Sequence, residues 1–329
     1  MRYSVVIPVY NRPGEIDELL KSLTKLTYKS FEVLVIEDGS SDPCAHIINR
    51  YADILNIRYY QKENTGQGFS RNFGFKRAKG DYYVVFDSDC LIPAHYFDAV
   101  NEVIDQNNGI DCWGGPDRAH ESFTPVQKAI NYSMTSFFTT GGTRGNQHHI
   151  GSYHPRSFNM GISKEVFAET GGYIITRMGE DIEFSIRIQK SGFNTHLISD
   201  AFVYHKRRTN FKQFYKQLFF FGRARINIWR FHPEELKAVH FFPLLFALIL
   251  IYSITGSVFD ITFSKELMML YFVFGAILII DAYRIEKSIL VSLYSAVTGF
   301  IQLTAYGLGF LTELFRSGKE RADTIINTD

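Results

Sequence analysis

Ser4-Val5-Val6-Ile7-Pro8-Val9-Tyr10 and Phe31-Glu32-Val33-Leu34-Val35-Ile36 are two nearly continuous apolar, β-branched runs, and each stops in a polar cluster, Asn11-Arg12-Pro13-Gly14 and Glu37-Asp38-Gly39-Ser40. A strand wet on one side alternates apolar and polar residues. A strand without alternation is covered on both faces, the condition of a parallel sheet. Between the two runs, Glu15 to Leu26 carries Ile16, Leu19, Leu20 and Leu23 at helical spacing, so strand, helix and strand predict a βαβ unit. A third apolar run, Tyr82 to Phe86, ends in Asp87-Ser88-Asp89. In open sheets of this kind ligands bind beyond the carboxyl ends of the strands, where Asn11, Asp38, Asp87 and Asp89 all fall.

Asp87 and Asp89 are separated by one residue. Alternate side chains of a strand share a face, so at a fraying strand end both carboxylates can turn toward one hard cation. A divalent ion with open positions is a natural partner for a diphosphate. An acidic turn closing a strand is the competing reading of Asp-x-Asp taken alone.

Further segments settle which reading to carry forward. Ser4 to Arg12, the Glu37-Asp38-Gly39-Ser40-Ser41-Asp42 turn, the stretch Asn64-Thr65-Gly66-Gln67-Gly68-Phe69-Ser70-Arg71-Asn72, Asp87-Ser88-Asp89, and Gly171-Gly172-Tyr173 followed by Gly179-Glu180-Asp181 occur in that order. Together, over residues 3 to 206, they resemble glycosyltransferase family 2, the inverting nucleotide-sugar transferases of GT-A fold. The resemblance implies an α/β fold: a GT-A-like, Rossmann-type, mostly parallel sheet flanked by helices.

It also implies roles. A Mg²⁺ or Mn²⁺ ion would be held by Asp89, with Asp87 toward the metal or the ribose, as a Lewis acid on the leaving phosphate. Asp38 would meet a nucleobase or ribose, with turn capping as its other role. Pro8, Val9, Tyr10 and Asn11 would line the same crevice, the Tyr10 ring as a stacking surface. Gly68, Arg71 and Asn72 would approach phosphate or sugar hydroxyls from the start of a helix. Asp181 matches the family's base, with helix capping as its competitor, and Glu180 beside it stands on the acceptor side. His205 sits where related enzymes place a histidine completing the metal or diphosphate site. Asn159, in a segment resembling the acceptor-side strand, would meet sugar hydroxyls.

The glycine-rich loop from Gly141 to Arg156 carries Arg144, His148, His149, His154 and Arg156, suited to an anionic acceptor or to solvent. Processive family members carry Gln-x-x-Arg-Trp, whereas this chain has Gln217-Leu218-Phe219-Phe220-Phe221. Transfer of a single sugar is therefore expected.

Of 329 residues 46% are hydrophobic, with 30 Phe and 19 Tyr, and the excess lies late in the chain. Phe241 to Phe259 is an uncharged run of about 19 residues, close to a bilayer core, and is followed by the shorter Leu267 to Ile280 and by Ile289 to Thr312. Ahead of them, Lys206, Arg207, Arg208, Lys212, Lys216, Arg223, Arg225 and Arg230 interleave with Phe211, Phe214, Tyr215, Phe219, Phe220, Phe221, Ile226 and Trp229, a pattern that predicts an interfacial helix on anionic lipid headgroups. The expected organisation is a catalytic domain at 1–206, a basic and aromatic interfacial segment at 207–238, two or three transmembrane helices at 239–315 and a polar tail at 316–329. Three crossings would place Arg316 outside, against the positive-inside tendency; two would not.

Met1-Arg2-Tyr3 leads directly into the first strand, so the catalytic part is expected in the cytoplasm at the inner membrane. Cys44, Cys90 and Cys112 show no metal-type spacing and are expected unpaired. A net charge of +1 offers nothing for nucleic acid. The expected function is metal-dependent inverting transfer from a nucleoside-diphosphate sugar, UDP-sugar favoured, to a lipid-linked or membrane-proximal glycan in cell-surface polysaccharide or glycolipid synthesis. A polyprenyl-phosphate sugar transferase and a non-catalytic nucleotide-sugar-binding scaffold are the alternatives.

Overall fold

The structure is a computed structural model that describes residues 2–141 and 153–316. Along the chain run β1 (Tyr3–Val9), α1 (Pro13–Leu23), β2 (Phe31–Asp38), α2 (Ala45–Ile48), β3 (Ile57–Lys62), α3 (Gln67–Phe75), β4 (Tyr82–Phe86), β5 (Cys90–Leu91), α4 (Tyr96–Gln106), β6 (Cys112–Gly114) and β7 (Asp117–Arg118). Then come α5 (Pro125–Thr135), α6 (Phe137–Thr140), β8 (Asn159–Ser163), α7 (Lys164–Thr170), α8 (Glu180–Lys190), β9 (Thr195–Leu197) and β10 (Val203–His205). Four long helices follow: α9 (Phe211–Phe231), α10 (Phe242–Val258), α11 (Ser264–Glu286) and α12 (Ile289–Leu314).

Two compact units result. Among the described residues the first holds 2–120 and 153–206, and the second 121–141 and 207–316. The first unit ends at Lys206, and α5 and α6 cluster with the late helices.

The first unit is built on a seven-stranded sheet of order β3-β2-β1-β4-β8-β6-β9. β1 is parallel to β2 and β4, β2 to β3, and β6 to β9; β8 alone is inverted, antiparallel to β4 and β6. Both faces are covered, which is why the strands read as continuous apolar runs. Val5, Ile7, Val33, Val35, Val84 and Phe86 pack with α1 and α4 through Leu19, Leu20, Leu23 and Phe97. The alternate residues Val6, Leu34, Ile36 and Val85 pack with Phe75 of α3 and Phe184 of α8. The helix expected from Glu15 to Leu26 runs from Pro13, whose missing N–H costs nothing in the first turn, and buries Ile16, Leu19, Leu20 and Leu23 as its spacing requires. A small second sheet, β5-β10-β7, pairs β10 antiparallel to β5 with Cys90 opposite His205.

In the second unit α9 lies parallel along α12. At one end the Phe211 and Tyr294 rings are 5.5 Å apart, and at the other Arg230 Nη1 lies 2.6 Å from Glu313 Oε1. Gly309 permits this closeness, because a Cβ there would fall 2.0 Å from the Phe219 carbonyl oxygen. α5 packs on the same helix, with Thr298 Oγ1 donating to the Ala129 carbonyl, and Tyr132 donates to Asp281 of α11. The segments Ala238–Val258, Ser264–Glu286 and Ile289–Leu314 are long and apolar enough to cross a membrane, but only the third is half buried by its neighbours. The middle helix is longer than the expected Leu267 to Ile280, since its polar ends add helix without adding hydropathy.

Candidate active site

The sheet brings the carboxyl ends of β1, β2 and β4 side by side, and the polar residues that follow them meet there. Asp38, the last residue of β2, is buried and accepts from the backbone N–H of Thr65 and Gly66, each at 2.9 Å, and from Lys62 Nζ. Gly66 takes φ +87, and a Cβ on it would lie 2.2 Å from Thr176 Oγ1, so only glycine lets the chain turn onto Asp38 here. Asn11, itself at φ +52, accepts from the N–H groups of Ser41 and Asp42 at 2.8 and 3.2 Å. Its side chain ties the loop after β1 to the loop after β2. Of the crevice residues expected near a nucleotide, Val9 is buried, Pro8 is half-buried and Tyr10 is 52% exposed, leaving its ring open for stacking.

Arg71 and Asn72, expected at a helix start, lie in the second turn of α3, which begins at Gln67. Arg71 is wholly buried; its Nη2 donates to Asp87 Oδ1 at 2.8 Å and its Nη1 to Glu180 Oε1 at 3.1 Å. The Tyr173 ring lies 5.3 Å from the guanidinium, adding a cation–π contact. Asn72 exchanges two hydrogen bonds with the Tyr173 backbone, at 2.7 and 2.8 Å, so its amide is used within the fold. Gly68 N–H donates to the Thr176 carbonyl, which docks α3 on the segment preceding α8.

At the start of α8 the cap position is Gly179, at φ +93, and Asp181 stands in the first turn. Asp181 remains one-fifth exposed, with Arg156 Nη1 3.7 Å from its Oδ2. Glu180 points inward to Arg71 and Gln67. Burial, and then the neighbouring Asp181, push its carboxyl up to about 7, with Arg71 opposing.

Of the two aspartates, Asp89 has the neighbours that a cation site needs. Its Oδ2 accepts from Arg12 Nη1 at 2.6 Å, and its Oδ1 lies 3.1 Å from His205 Nε2. Burial favours protonation of this carboxyl, but His205 and then Arg12 outweigh it and hold the group ionised, well below the usual carboxylate range. Asp89 Oδ1 is buried and accepts no hydrogen bond. Asp89, Cys90 and His205 offer ligand atoms within 4.8 Å of one another, the grouping of this kind found among the described residues. An ionised, partly unsatisfied carboxylate beside an imidazole fits a divalent cation. Asp87 is not in that group: its carboxylate is drawn toward Arg71.

Sequence reasoning missed three of these residues. Cys90 enters through its cross-strand pairing with His205, which no spacing pattern signals. Arg12 was visible only as part of a loop. Asp117, buried on β7 with its Oδ2 4.0 Å from His205 Nδ1, carried no motif. Asn159, expected to meet sugar, is fully buried, accepting from Tyr96 Oη at 2.6 Å and donating to the Ala201 carbonyl at 2.8 Å. It holds β8 to the segment before β10. The glycine-rich loop's Arg144, His148 and His149 lie outside the described residues.

Residues 4–167 match the model of glycosyl transferase family 2. An uncharacterised glycosyltransferase of Haemophilus influenzae is 30% identical over 216 residues, covering 63% of this chain and 70% of that protein. The chain belongs to glycosyl transferase family 2. An uncharacterised glycosyltransferase of Rickettsia felis is 37% identical over 142 residues, 43% of this chain but only 22% of that longer protein. In fold, the chain is similar to the mannosyltransferase PcManGT of Pyrobaculum calidifontis, solved in complex with GDP-Man and Mn²⁺, with TM-score 0.61, 16% identity and coverage of 95% of this chain and 87% of that one.

Proposed function

We propose that this chain transfers a single sugar, with inversion, from a nucleoside-diphosphate sugar to an acceptor held at a membrane surface. The observation that carries the reading is the continuous line of charge at the carboxyl ends of the strands: Asp181 and Glu180, then Arg71, then Asp87, then Asp89 with His205. Tyr10 and the Asp38 turn offer the nucleotide its place. Asp89 and His205 would hold a Mg²⁺ or Mn²⁺ ion, which when bound neutralises charge on the departing diphosphate. Asp181, the partly exposed carboxylate at the other end of the line, takes the proton of the acceptor hydroxyl, and one base with no covalent intermediate gives inversion. Arg71 fixes Asp87 and Glu180 on either side of the reacting centre.

The test is a transfer assay on detergent-solubilised protein with UDP-, GDP-, CMP- and dTDP-sugars, with and without Mn²⁺, beside Asp89→Asn and Asp181→Asn. Metal-dependent turnover with one donor that both variants lose supports the reading. Turnover unchanged in Asp181→Asn overturns the assignment of the base, and nucleotide binding without turnover by any donor favours a scaffold.

Arg156 beside Asp181 favours a second reading, in which the acceptor is a polyprenyl phosphate. A phosphate oxygen needs no base, so Asp181→Asn would keep most activity and Arg156→Gln would lose it.

For the second unit, α10 and α11 are read as the pair crossing the bilayer. α12 lies along α9, whose Lys212, Lys216, Arg223, Arg225 and Arg230 exclude it from the hydrocarbon, so the two are placed together at the cytoplasmic headgroup boundary. Two crossings leave Arg316, close to Glu313 and its partners Arg223 and Arg230, on the same side as that basic helix.

A further inference from the structure

The proposed function leaves Arg12 without a part, and this inference rests on that reading of the Asp89 site. Arg12 lies three residues past the end of β1 and immediately precedes Pro13, the first residue of α1, so its backbone is set by the loop that Asn11 ties to Ser41. Its guanidinium has five N–H donors, of which only Nη1 has a partner among the described residues, and that partner is Asp89 Oδ2 at 2.6 Å. The Arg12 side chain is one-third exposed while that of Asp89 is one-tenth exposed. The cation can leave; the carboxylate cannot follow.

Two positive charges therefore address one carboxylate. A divalent ion on Asp89 and the Arg12 guanidinium repel one another and compete for the same lone pairs. A diphosphate held by such an ion would bring anionic oxygens to the neighbourhood of Asp89, and an arginine pairs with phosphate oxygens as readily as with carboxylate. We propose that Arg12 is a positioning residue with two partners: it competes with the divalent cation for Asp89 and moves onto the donor's diphosphate as the cation binds. The exchange makes donor and metal bind cooperatively, because each removes Arg12's claim against the other. It gives the enzyme a low affinity for free metal and a high one for metal accompanied by nucleotide.

Mn²⁺ binding to the full chain in detergent, followed by the loss of the free-ion EPR signal, reads this directly. Titrations are run on wild type, Arg12→Gln, Arg12→Lys and Asp89→Asn, with Mn²⁺ alone and with Mn²⁺ plus UDP or GDP. Wild type should bind Mn²⁺ more tightly once a nucleotide is present. Arg12→Gln should bind Mn²⁺ alone on the order of tenfold more tightly than wild type, and the gain from nucleotide should shrink. Arg12→Lys, which keeps the charge, should stay near wild type. Mn²⁺ affinity in Arg12→Gln equal to or weaker than wild type, with Asp89→Asn impaired, overturns the role of Arg12 and leaves the metal site standing. Equal Mn²⁺ binding by wild type and Asp89→Asn overturns both.

Discussion

Asp87 and Glu180 share a single guanidinium: Arg71, wholly buried, donates to Asp87 Oδ1 at 2.8 Å and to Glu180 Oε1 at 3.1 Å. The loop after β4 and the first turn of α8 are thereby tied by one side chain of α3. Removing the cation leaves Glu180 buried and uncompensated. Arg71→Met is expected to destabilise the chain by roughly 3–5 kcal/mol, the cost of breaking a buried ion pair from one side. Chemical denaturation of the solubilised protein measures it, and a loss below about 1 kcal/mol would mean that the pair does not organise the site.

Glu180 makes stability depend on pH. A carboxyl that holds its proton more tightly in the folded chain contributes stability that is fully present below its ordinary value of 4.5 and is lost as pH rises through about 7. Wild type should therefore melt at progressively lower temperature across that window. Glu180→Gln, which cannot ionise, should flatten the decline. Parallel declines in the two proteins would assign the pH dependence to another group.

Asp181→Asn removes the proposed base and keeps its shape. Turnover is expected to fall by about 10²–10⁴-fold, while the nucleotide-induced rise in melting temperature is retained. Loss of nucleotide binding along with activity would instead make Asp181 part of the donor pocket.

Gly66→Ala forces a side chain into φ +87 and against Thr176. The expected cost is about 1–3 kcal/mol, with weakened UDP or GDP binding, since Thr65 and Gly66 are the backbone donors to Asp38. Differential scanning fluorimetry with and without nucleotide separates the two effects.

Cysteine labelling tests the second unit against a low background, because Cys44, Cys90 and Cys112 are all buried. Asp260→Cys, between α10 and α11, should react with an impermeant maleimide from the opposite side of the membrane to Phe315→Cys, just past α12. Labelling of both from the same side would show that α12 crosses as well, or that the hairpin does not.

The strands, α1 and the order of the motifs were legible in the sequence because they follow from local periodicity. Apolar residues at every position of β1, β2 and β4 demanded cover on both faces, and the polar ends then marked the crevice. Asp38, Asp87 and Asp89 became candidates on that logic, and Asp181 and His205 through the resemblance to the family. The residues that it missed or misjudged are those whose roles depend on distant partners. Asn72 and Asn159 looked available for a ligand until Tyr173, Tyr96 and Ala201 took up their amides. Cys90 came beside Asp89 and His205 only when β5 paired with β10.

The three apolar helices make the same division. Their hydropathy dictated that each must be covered by something apolar, and the sequence by itself went no further, because a lipid tail and a packed helix satisfy an apolar side chain equally well. Tertiary structure decided that α10 and α11 leave most of their apolar surface bare while half of α12 is buried, with α9 and α5 packed against it. Local pattern states which surfaces and charges need partners. Only the folded chain decides which partners they get, since those contacts join residues far apart in sequence.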